Sequence, residues 1–193
     1  MAKKITLVAI GSSTGGVEAL ASILPKLRPP FPPVVVVQHI PKGFSKMFAD
    51  RMNKESVLTV KEGEDGEIIK PDCVYIAPGG LHMKLVKPQN NLQICCFMAP
   101  PVHSCRPAVD ILFHSVAELV GAAALGVILT GIGHDGAAGL LAMRNKGAYT
   151  LGQDEATSAV YGMPRSAFEC GAVLKQMPLQ GMPLAISALA NRV

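Results

Sequence analysis

A glycine-rich hexapeptide near the start of the chain directly follows an apolar run. Together, these two segments are compatible with few folds. The apolar run, residues 5–10, is rich in β-branched side chains, which indicates a strand buried on both faces. The hexapeptide, residues 11–16, begins with the pattern G-x-S-x-G. This pattern is typical of a sharp strand-to-helix turn that exposes a serine hydroxyl, here that of Ser13, at the edge of a parallel sheet.

Two other roles for the glycine turn remain open from the local pattern. A glycine-rich turn that enters a helix can bind a phosphate through its backbone N–H groups. However, the chain has Gly16-Val17-Glu18 where a P-loop needs Gly-Lys-Ser/Thr, and it lacks the G-x-G-x-x-G of dinucleotide-binding turns. The turn could also serve only to bring strand and helix close together. Evidence from the rest of the chain must decide among these interpretations.

Strand-like and helix-like segments alternate along most of the chain. The predicted strands are 5–10, 34–38, 124–130 and 148–152, and the predicted helices are about 16–23, 45–53, 108–120, 137–146, 165–169 and 183–191. This alternation predicts an α/β fold, a doubly wound, mostly parallel sheet with helices on both faces. Short strand-like runs between turn signals, at 58–61, 73–77, 82–86 and 92–97, predict appended antiparallel hairpins. No linker interrupts the 193 residues, so we expect a single domain over 1–193.

Charge and hydropathy argue against membrane and nucleic-acid functions. The longest apolar stretch, about 119–129, is shorter than the ~20 residues of a membrane span, and the first apolar run lacks the pattern of a signal peptide. The net charge of +4 comes without a block of lysine and arginine, which disfavours nucleic acid as a partner. We therefore expect a soluble, cytoplasmic protein that is not embedded in a membrane.

The five cysteines predict reduced thiols. Their number is odd and the chain contains no C-x-x-C pair, which argues against a disulfide framework or a zinc ribbon. His103 and Cys105 could be grouped with the adjacent Cys95 and Cys96, but this spacing is a poor match to a metal site. We expect neither a metal nor another cofactor.

Three polar side chains follow predicted strands at the end where parallel sheets carry their chemistry. Ser13 follows the first strand, His39 the second, and Asp135 the strand at 124–130. These are the residue types of a hydrolytic triad, in which an imidazole takes the serine proton and a carboxylate orients the imidazole. Taken singly, His39 could be a polar cap and Asp135 a helix N-cap. Their shared placement favours a catalytic site.

Other polar residues are weaker candidates. Asp154 and Glu155 are rival orienting acids, but Asp135 adjoins the glycine-flanked loop 131–133, whose backbone N–H groups can approach a reacting carbonyl. We predict structural roles for His82, His103 and His114. His134, next to Asp135, could contribute to the edge of the site.

Six motifs match, in order and spacing, those of one known family. They are VAIGSSTGG at 8–16, QHIP at 38–41, IAPG at 76–79, DILFHS at 110–115, ILTGIGHDG at 128–136 and YGMP at 161–164. Together they resemble the catalytic domain of the bacterial chemotaxis protein-glutamate methylesterases over nearly the whole chain. The resemblance implies a serine hydrolase that removes methyl groups from glutamates on the cytoplasmic helices of chemoreceptors and releases methanol. Some family members also deamidate receptor glutamines.

The resemblance also assigns the site residues. The nucleophile, base and orienting acid of the family fall on Ser13, His39 and Asp135, in agreement with the strand-end argument. Thr14 lies beside the nucleophile in the family, and the backbone at the position of Ile132 is implicated in stabilising the oxyanion. Many relatives carry methionine where this chain has Ile132, a change that keeps the backbone N–H.

Two further departures from the family bear on function. Many relatives carry asparagine where this chain has His134, which places an extra titratable group beside the triad acid. Typical relatives also carry a phosphoryl-accepting receiver domain in front of the catalytic domain, and no receiver domain is present in this sequence. We therefore expect constitutive esterase activity without an intrinsic phosphorylation switch. A receiver domain or other chemotaxis proteins are candidate partners in trans.

Two functions without ester hydrolysis remain as alternatives. The chain could be a non-catalytic binding module that docks on chemoreceptors or on a signalling partner, because a fold does not by itself guarantee activity. It could also be a nucleotide-binding switch built on the turn at 11–16. The complete set of Ser13, His39 and Asp135 favours the enzyme, since a binding module has no need of all three.

Overall fold

The computed structural model describes residues 4–191 and places a parallel sheet at the centre of the fold. The strands are β1 (Leu7–Ser12), β2 (Val34–Gln38), β3 (Thr59–Glu62), β4 (Cys73–Ile76), β5 (His82–Val86), β6 (Gln93–Phe97), β7 (Ala124–Ile128), β8 (Tyr149–Gln153) and β9 (Lys175–Met177). The α-helices are α1 (Gly16–Ile23), α2 (Phe44–Glu55), α3 (Val109–Leu119), α4 (Ala137–Asn145), α5 (Met163–Glu169) and α6 (Met182–Ala190).

The main sheet has seven strands in the order β3-β4-β2-β1-β7-β8-β9, and every pair in it is parallel. From β1 the chain winds first toward β2 and β4, and later it returns to the other side of β1 through β7 and β8. The loops that follow β1 and β7 therefore leave the sheet in opposite directions. In doubly wound sheets this reversal opens a crevice at the carboxyl ends of the strands, where ligands bind.

The core has two layers because both faces of the sheet are buried. Alternate residues of each central strand point to opposite faces, and valines fill both faces of β2. Helices α1, α2 and α6 cover one face. Helices α3, α4 and α5 cover the other, together with the β5–β6 pair. Burial on both faces explains why the central strands are continuous apolar runs.

Of the two predicted antiparallel hairpins, the structure contains one. β5 and β6 form a separate antiparallel pair, with His82 opposite Phe97 and Val86 opposite Gln93. β3 and β4 instead run parallel to each other and extend the edge of the main sheet, so the predicted second hairpin is wrong. The chain between them, residues 63–72, is longer than a tight turn and carries the chain back to the starting end of β3.

Smaller differences from the prediction lie at element ends. The first strand is Leu7–Ser12 rather than 5–10, because Gly11 and Ser12 continue the ladder with β2. The short edge strand β9 was not predicted, since a run of three residues is too short to show a period. Across residues 4–191, none of the helices has both the length and the apolar character that crossing a bilayer requires.

Candidate active site

Three hydrogen bonds hold the backbone of Ser13 in the turn after β1. The Ser13 N–H donates to the carbonyl of Thr130 at 3.0 Å. The Ser13 carbonyl accepts from the N–H of Gly16 at 2.7 Å and from Nε2 of Gln38 at 2.8 Å. The backbone of Ser13 is thus tied to β2, to α1 and to the end of β7, while its side chain is only partly buried.

Gln38, the last residue of β2, is a positioning residue that the sequence did not reveal. Its side chain is buried, and Oε1 accepts a hydrogen bond from Oγ of Ser12 at 2.6 Å. A Cβ at Gly16 would collide with this same Oε1, and Gly15 has a positive φ of 79°. Glycine is therefore required at 16 because Gln38 approaches the backbone closely there, and at 15 because the backbone is left-handed.

His39 and Asp135 form a hydrogen-bonded pair. Nε2 of His39 lies 2.7 Å from Oδ2 of Asp135, and because an ionised carboxylate only accepts, the imidazole carries its proton on Nε2. The Asp135 side chain is 2% exposed and that of His39 is 12% exposed. The second ring nitrogen, Nδ1, is then the basic one, and it is the atom that can take a proton.

Asp135 is kept anionic by the start of α3. The N–H of Val109 donates to Oδ2 at 2.7 Å and the N–H of Asp110 donates to Oδ1 at 2.9 Å, at the positive end of the helix dipole. Burial by itself would raise the pKa of Asp135. The hydrogen bonds from His39 and from the two backbone N–H groups outweigh burial and hold the pKa below its ordinary value of 3.8.

Ser13 is a near neighbour of His39 but is not hydrogen-bonded to it. The two residues follow the paired positions Ser12 and Gln38, and the N–H of His39 donates to the Ser12 carbonyl at 3.0 Å. Over residues 4–191, the Ser13 hydroxyl makes no hydrogen bond with the imidazole. Catalytic hydrogen bonds are often absent without substrate and form in the substrate complex.

The thiol of Cys105 contacts the free nitrogen of His39. Its Sγ lies 3.4 Å from Nδ1, so the thiol donates to the lone pair that a serine proton would need. Burial, and secondarily the charge of Asp135, raises the pKa of this thiol, so it stays a donor. Sequence patterns did not predict this contact, because Cys105 lies in a loop outside the predicted strands and helices.

Backbone donors that could serve an oxyanion border the turn. Among residues 4–191, neither the N–H of Thr14 nor that of Ile132 donates a hydrogen bond. Both residues are exposed, Ile132 to 64%. Gly131 lies directly against Ser13, since an added Cβ would come within 2.7 Å of the serine Cβ. The loop after β7, which carries the unpaired N–H of Ile132, therefore approaches the serine at Gly131.

The rival acids and His82 lie outside this contact network, whereas His103 adjoins it through Asp110. Oδ1 of Asp154 accepts from the N–H and hydroxyl of Thr157 and so closes its own turn, while Glu155 is exposed. His82 is buried and bonded to the Pro100 carbonyl, a structural role as predicted. His103 pairs with the buried Asp110 at 2.9 Å, a contact that the sequence did not suggest.

Replacing Gly131 with alanine will displace Ser13. The new Cβ would overlap Sδ of Met163 as well as the serine Cβ, and overpacking of this kind costs about 1–3 kcal/mol of unfolding free energy. Because a small misplacement of a reacting group is expensive, we expect kcat for a reaction at Ser13 to fall by about 10- to 100-fold. Gly181→Ala is the control, since nothing lies within 4 Å of its added Cβ. Equal kcat values for the two variants would refute the close fit at Gly131.

A doubly wound α/β fold that brings a serine turn and a histidine–carboxylate pair to one sheet edge has the architecture of a serine hydrolase. The family model for the CheB methylesterases matches residues 8–186 of this chain. The chain therefore belongs to the CheB methylesterase family.

Individual relatives agree with this assignment. The chain is 53% identical over 186 residues to protein-glutamate methylesterase/protein-glutamine glutaminase 1 of Caulobacter vibrioides, covering 96% of this chain and 54% of the relative. It is 51% identical to the Salmonella typhi protein-glutamate methylesterase/protein-glutamine glutaminase, covering 90% of this chain and 50% of that protein. The chain thus spans about half the length of these curated relatives.

A solved structure shows the same fold. The crystal structure of the Thermotoga maritima CheB methylesterase catalytic domain superposes with a TM-score of 0.93 at 39% sequence identity. The match covers 97% of this chain and 100% of that one. The expected fold class, including the single α/β unit, is confirmed.

Proposed function

We propose that this chain is the catalytic domain of a protein-glutamate methylesterase that hydrolyses glutamate methyl esters on the cytoplasmic helices of chemoreceptors. The observation that carries the proposal is the His39–Asp135 pair at 2.7 Å, set beside the Ser13 turn at one sheet edge. Membership of the CheB methylesterase family and the names of the relatives support the same reaction. The proposal places the protein in the cytoplasm, where those receptor helices lie.

The proposed reaction begins when Nδ1 of His39 accepts the proton of the Ser13 hydroxyl. The serine oxygen attacks the ester carbonyl, and the resulting oxyanion binds the free N–H groups of Thr14 and Ile132. Asp135 stabilises the imidazolium through Nε2. The imidazolium then gives its proton to the departing methoxide, and methanol leaves an acyl-enzyme behind.

Water completes the proposed cycle. His39 takes a proton from a water molecule, which attacks the acyl carbonyl, and then returns this proton to Ser13. The products are the glutamate carboxylate and the free serine. Hydrolysis of a glutamine side chain would follow the same route, with ammonia leaving in place of methanol. The proposal therefore includes a glutaminase activity, in line with the names of the relatives.

We also propose that residues 1–193 act as a catalytic domain that needs no receiver domain for activity. The sheet, both core layers and the candidate site are built from residues 4–191. The Thermotoga catalytic domain matches this same extent. Acetyl phosphate, a donor for receiver domains, should leave the rate of the purified chain unchanged, and a changed rate would contradict this proposal.

Methanol release tests the proposed function. The purified chain should release labelled methanol from chemoreceptor membranes whose glutamates carry labelled methyl groups, and His39→Gln should abolish the release. Membrane binding without release by the parent chain would favour a non-catalytic docking module instead. Mass spectrometry of receptor glutamines before and after incubation tests deamidation in the same samples.

A further inference from the structure

Cys105 is held in place by a tight turn. The N–H of Val102 donates to the Cys105 carbonyl at 3.0 Å, and the N–H of Cys105 donates back at 2.9 Å. The two residues between them, His103 and Ser104, have positive φ angles of 50° and 62°. Such backbone is costly for residues other than glycine and persists only where its surroundings fix it. The contact of the thiol with His39 is thus built into the loop.

The imidazole of His39 is oriented as metal-binding histidines are. Metal-ligating histidines usually donate the other ring N–H to a carboxylate, which fixes the tautomer and raises the basicity of the ligating nitrogen. In this chain Nε2 donates to Asp135, and Nδ1 lies on the side of the ring that faces Cys105. Asp135 itself accepts hydrogen bonds from two backbone N–H groups besides that of His39. It therefore suits the role of the carboxylate that orients a ligating histidine without binding the metal.

The spacing of the two donor atoms fits a single zinc ion. With Zn–N of about 2.0–2.1 Å and Zn–S of about 2.3 Å, a tetrahedral angle separates the nitrogen and sulfur by about 3.5 Å. The observed distance from Nδ1 to Sγ is 3.4 Å. Ligand atoms of His39, Cys105 and Asp135 all lie within 4.8 Å of one another.

We propose that His39 and Cys105 form an inhibitory site for a thiophilic divalent cation, Zn²⁺, within the candidate active site. The ion binds the Nδ1 lone pair and the Cys105 thiolate, the thiol proton passes to solvent, and water fills the remaining positions. A sulfur and an imidazole nitrogen select zinc over Mg²⁺ and Ca²⁺, which prefer oxygen ligands. The inhibition rests on the proposed function, whereas the binding itself does not.

Inhibition follows from competition for one lone pair. In the proposed mechanism Nδ1 must accept the Ser13 proton, and a nitrogen that coordinates zinc has no lone pair left for it. The neighbouring group of His103, Asp110 and Asp135 is a poorer zinc site, because the oxygens of both carboxylates already accept hydrogen bonds. Its Asp110 carboxylate is also committed to the N–H of Gly139 at 2.7 Å.

Direct binding is tested with Co²⁺, a spectroscopic substitute for Zn²⁺. The purified parent chain should show a thiolate-to-cobalt charge-transfer band that added Zn²⁺ removes. Cys105→Ala should lose this band, and Cys105→Ser, which preserves the size of the side chain, should lose it too. Cys170→Ala is the matched control, because Cys170 is an exposed free cysteine, and it should keep the band. This readout does not depend on esterase activity.

Inhibition is tested by titrating Zn²⁺ into the methanol-release assay, with each variant normalised to its own zinc-free rate. The concentration for half inhibition should rise by about 10-fold or more in Cys105→Ala and stay at the parent value in Cys170→Ala. No cobalt–thiolate band in the parent, or a band that persists without Cys105, would overturn the site. A band with no zinc inhibition of an active parent would overturn its inhibitory role.

Discussion

Replacing Ser13 with alanine will lower kcat for glutamyl ester hydrolysis by about 10⁴-fold or more, because alanine cannot form the acyl-enzyme. The fold should be retained. The Ser13 side chain is only partly buried, and the bonds that hold the turn are made by the Ser13 backbone and by Gln38. Methanol release measures the rate, and urea unfolding checks that the free energy of unfolding changes by no more than about 0.5 kcal/mol.

Ser12→Ala is the matched control for this prediction. Ser12 is the adjacent serine, but its hydroxyl is buried and donates to Oε1 of Gln38. Losing this hydrogen bond should cost about 1–3 kcal/mol of stability while leaving the Ser13 nucleophile in the chain. If Ser13→Ala retained the parent rate, the nucleophile would be misassigned.

Asp135→Asn will lower kcat by about 10⁴-fold with the sheet unchanged. The carboxylate accepts three hydrogen bonds, from His39, Val109 and Asp110, and an amide can accept at only one of its two positions. The carboxylate keeps the imidazole proton on Nε2, and this tautomer leaves Nδ1 free to act as the base. An amide does not enforce this tautomer. Asp154→Asn, which removes the rival acid, should retain the parent rate. A fully active Asp135→Asn would transfer the role of orienting acid to Asp154 or Glu155.

The same substitution will change stability in a pH-dependent way. Because the folded protein holds the pKa of Asp135 below 3.8, the anion stabilises the fold at pH values above 3.8, and this contribution is lost as pH falls through the folded pKa. Asp135→Asn should therefore cost about 1–3 kcal/mol at pH 7, and the deficit should shrink in acid. Urea unfolding of parent and variant at pH 7 and pH 3 measures it. A deficit that is the same at both pH values would contradict the assignment.

Local sequence patterns were sufficient to predict the elements whose contacts are short in range or periodic along the chain. The bounds of β2 and α1 match the prediction at both ends, because an apolar run and a glycine turn are local signals. The strand-end rule also led to the meeting of His39 with Asp135, which lie 96 residues apart. That rule works at long range because all parallel strands deliver their carboxyl ends to one edge of the sheet.

Only the tertiary structure determined the features that depend on how a loop crosses between distant elements. The parallel pairing of β3 with β4 follows from how residues 63–72 cross back, and strand propensity does not specify direction. Cys105 reaches His39 across 66 residues because the turn at 102–105 lies over the sheet edge. Gln38 supports the Ser13 turn through a buried side-chain amide, which is indistinguishable in sequence from any polar residue at a strand end. Each of these contacts joins groups with no periodic relation in the chain, so only the folded arrangement specifies them.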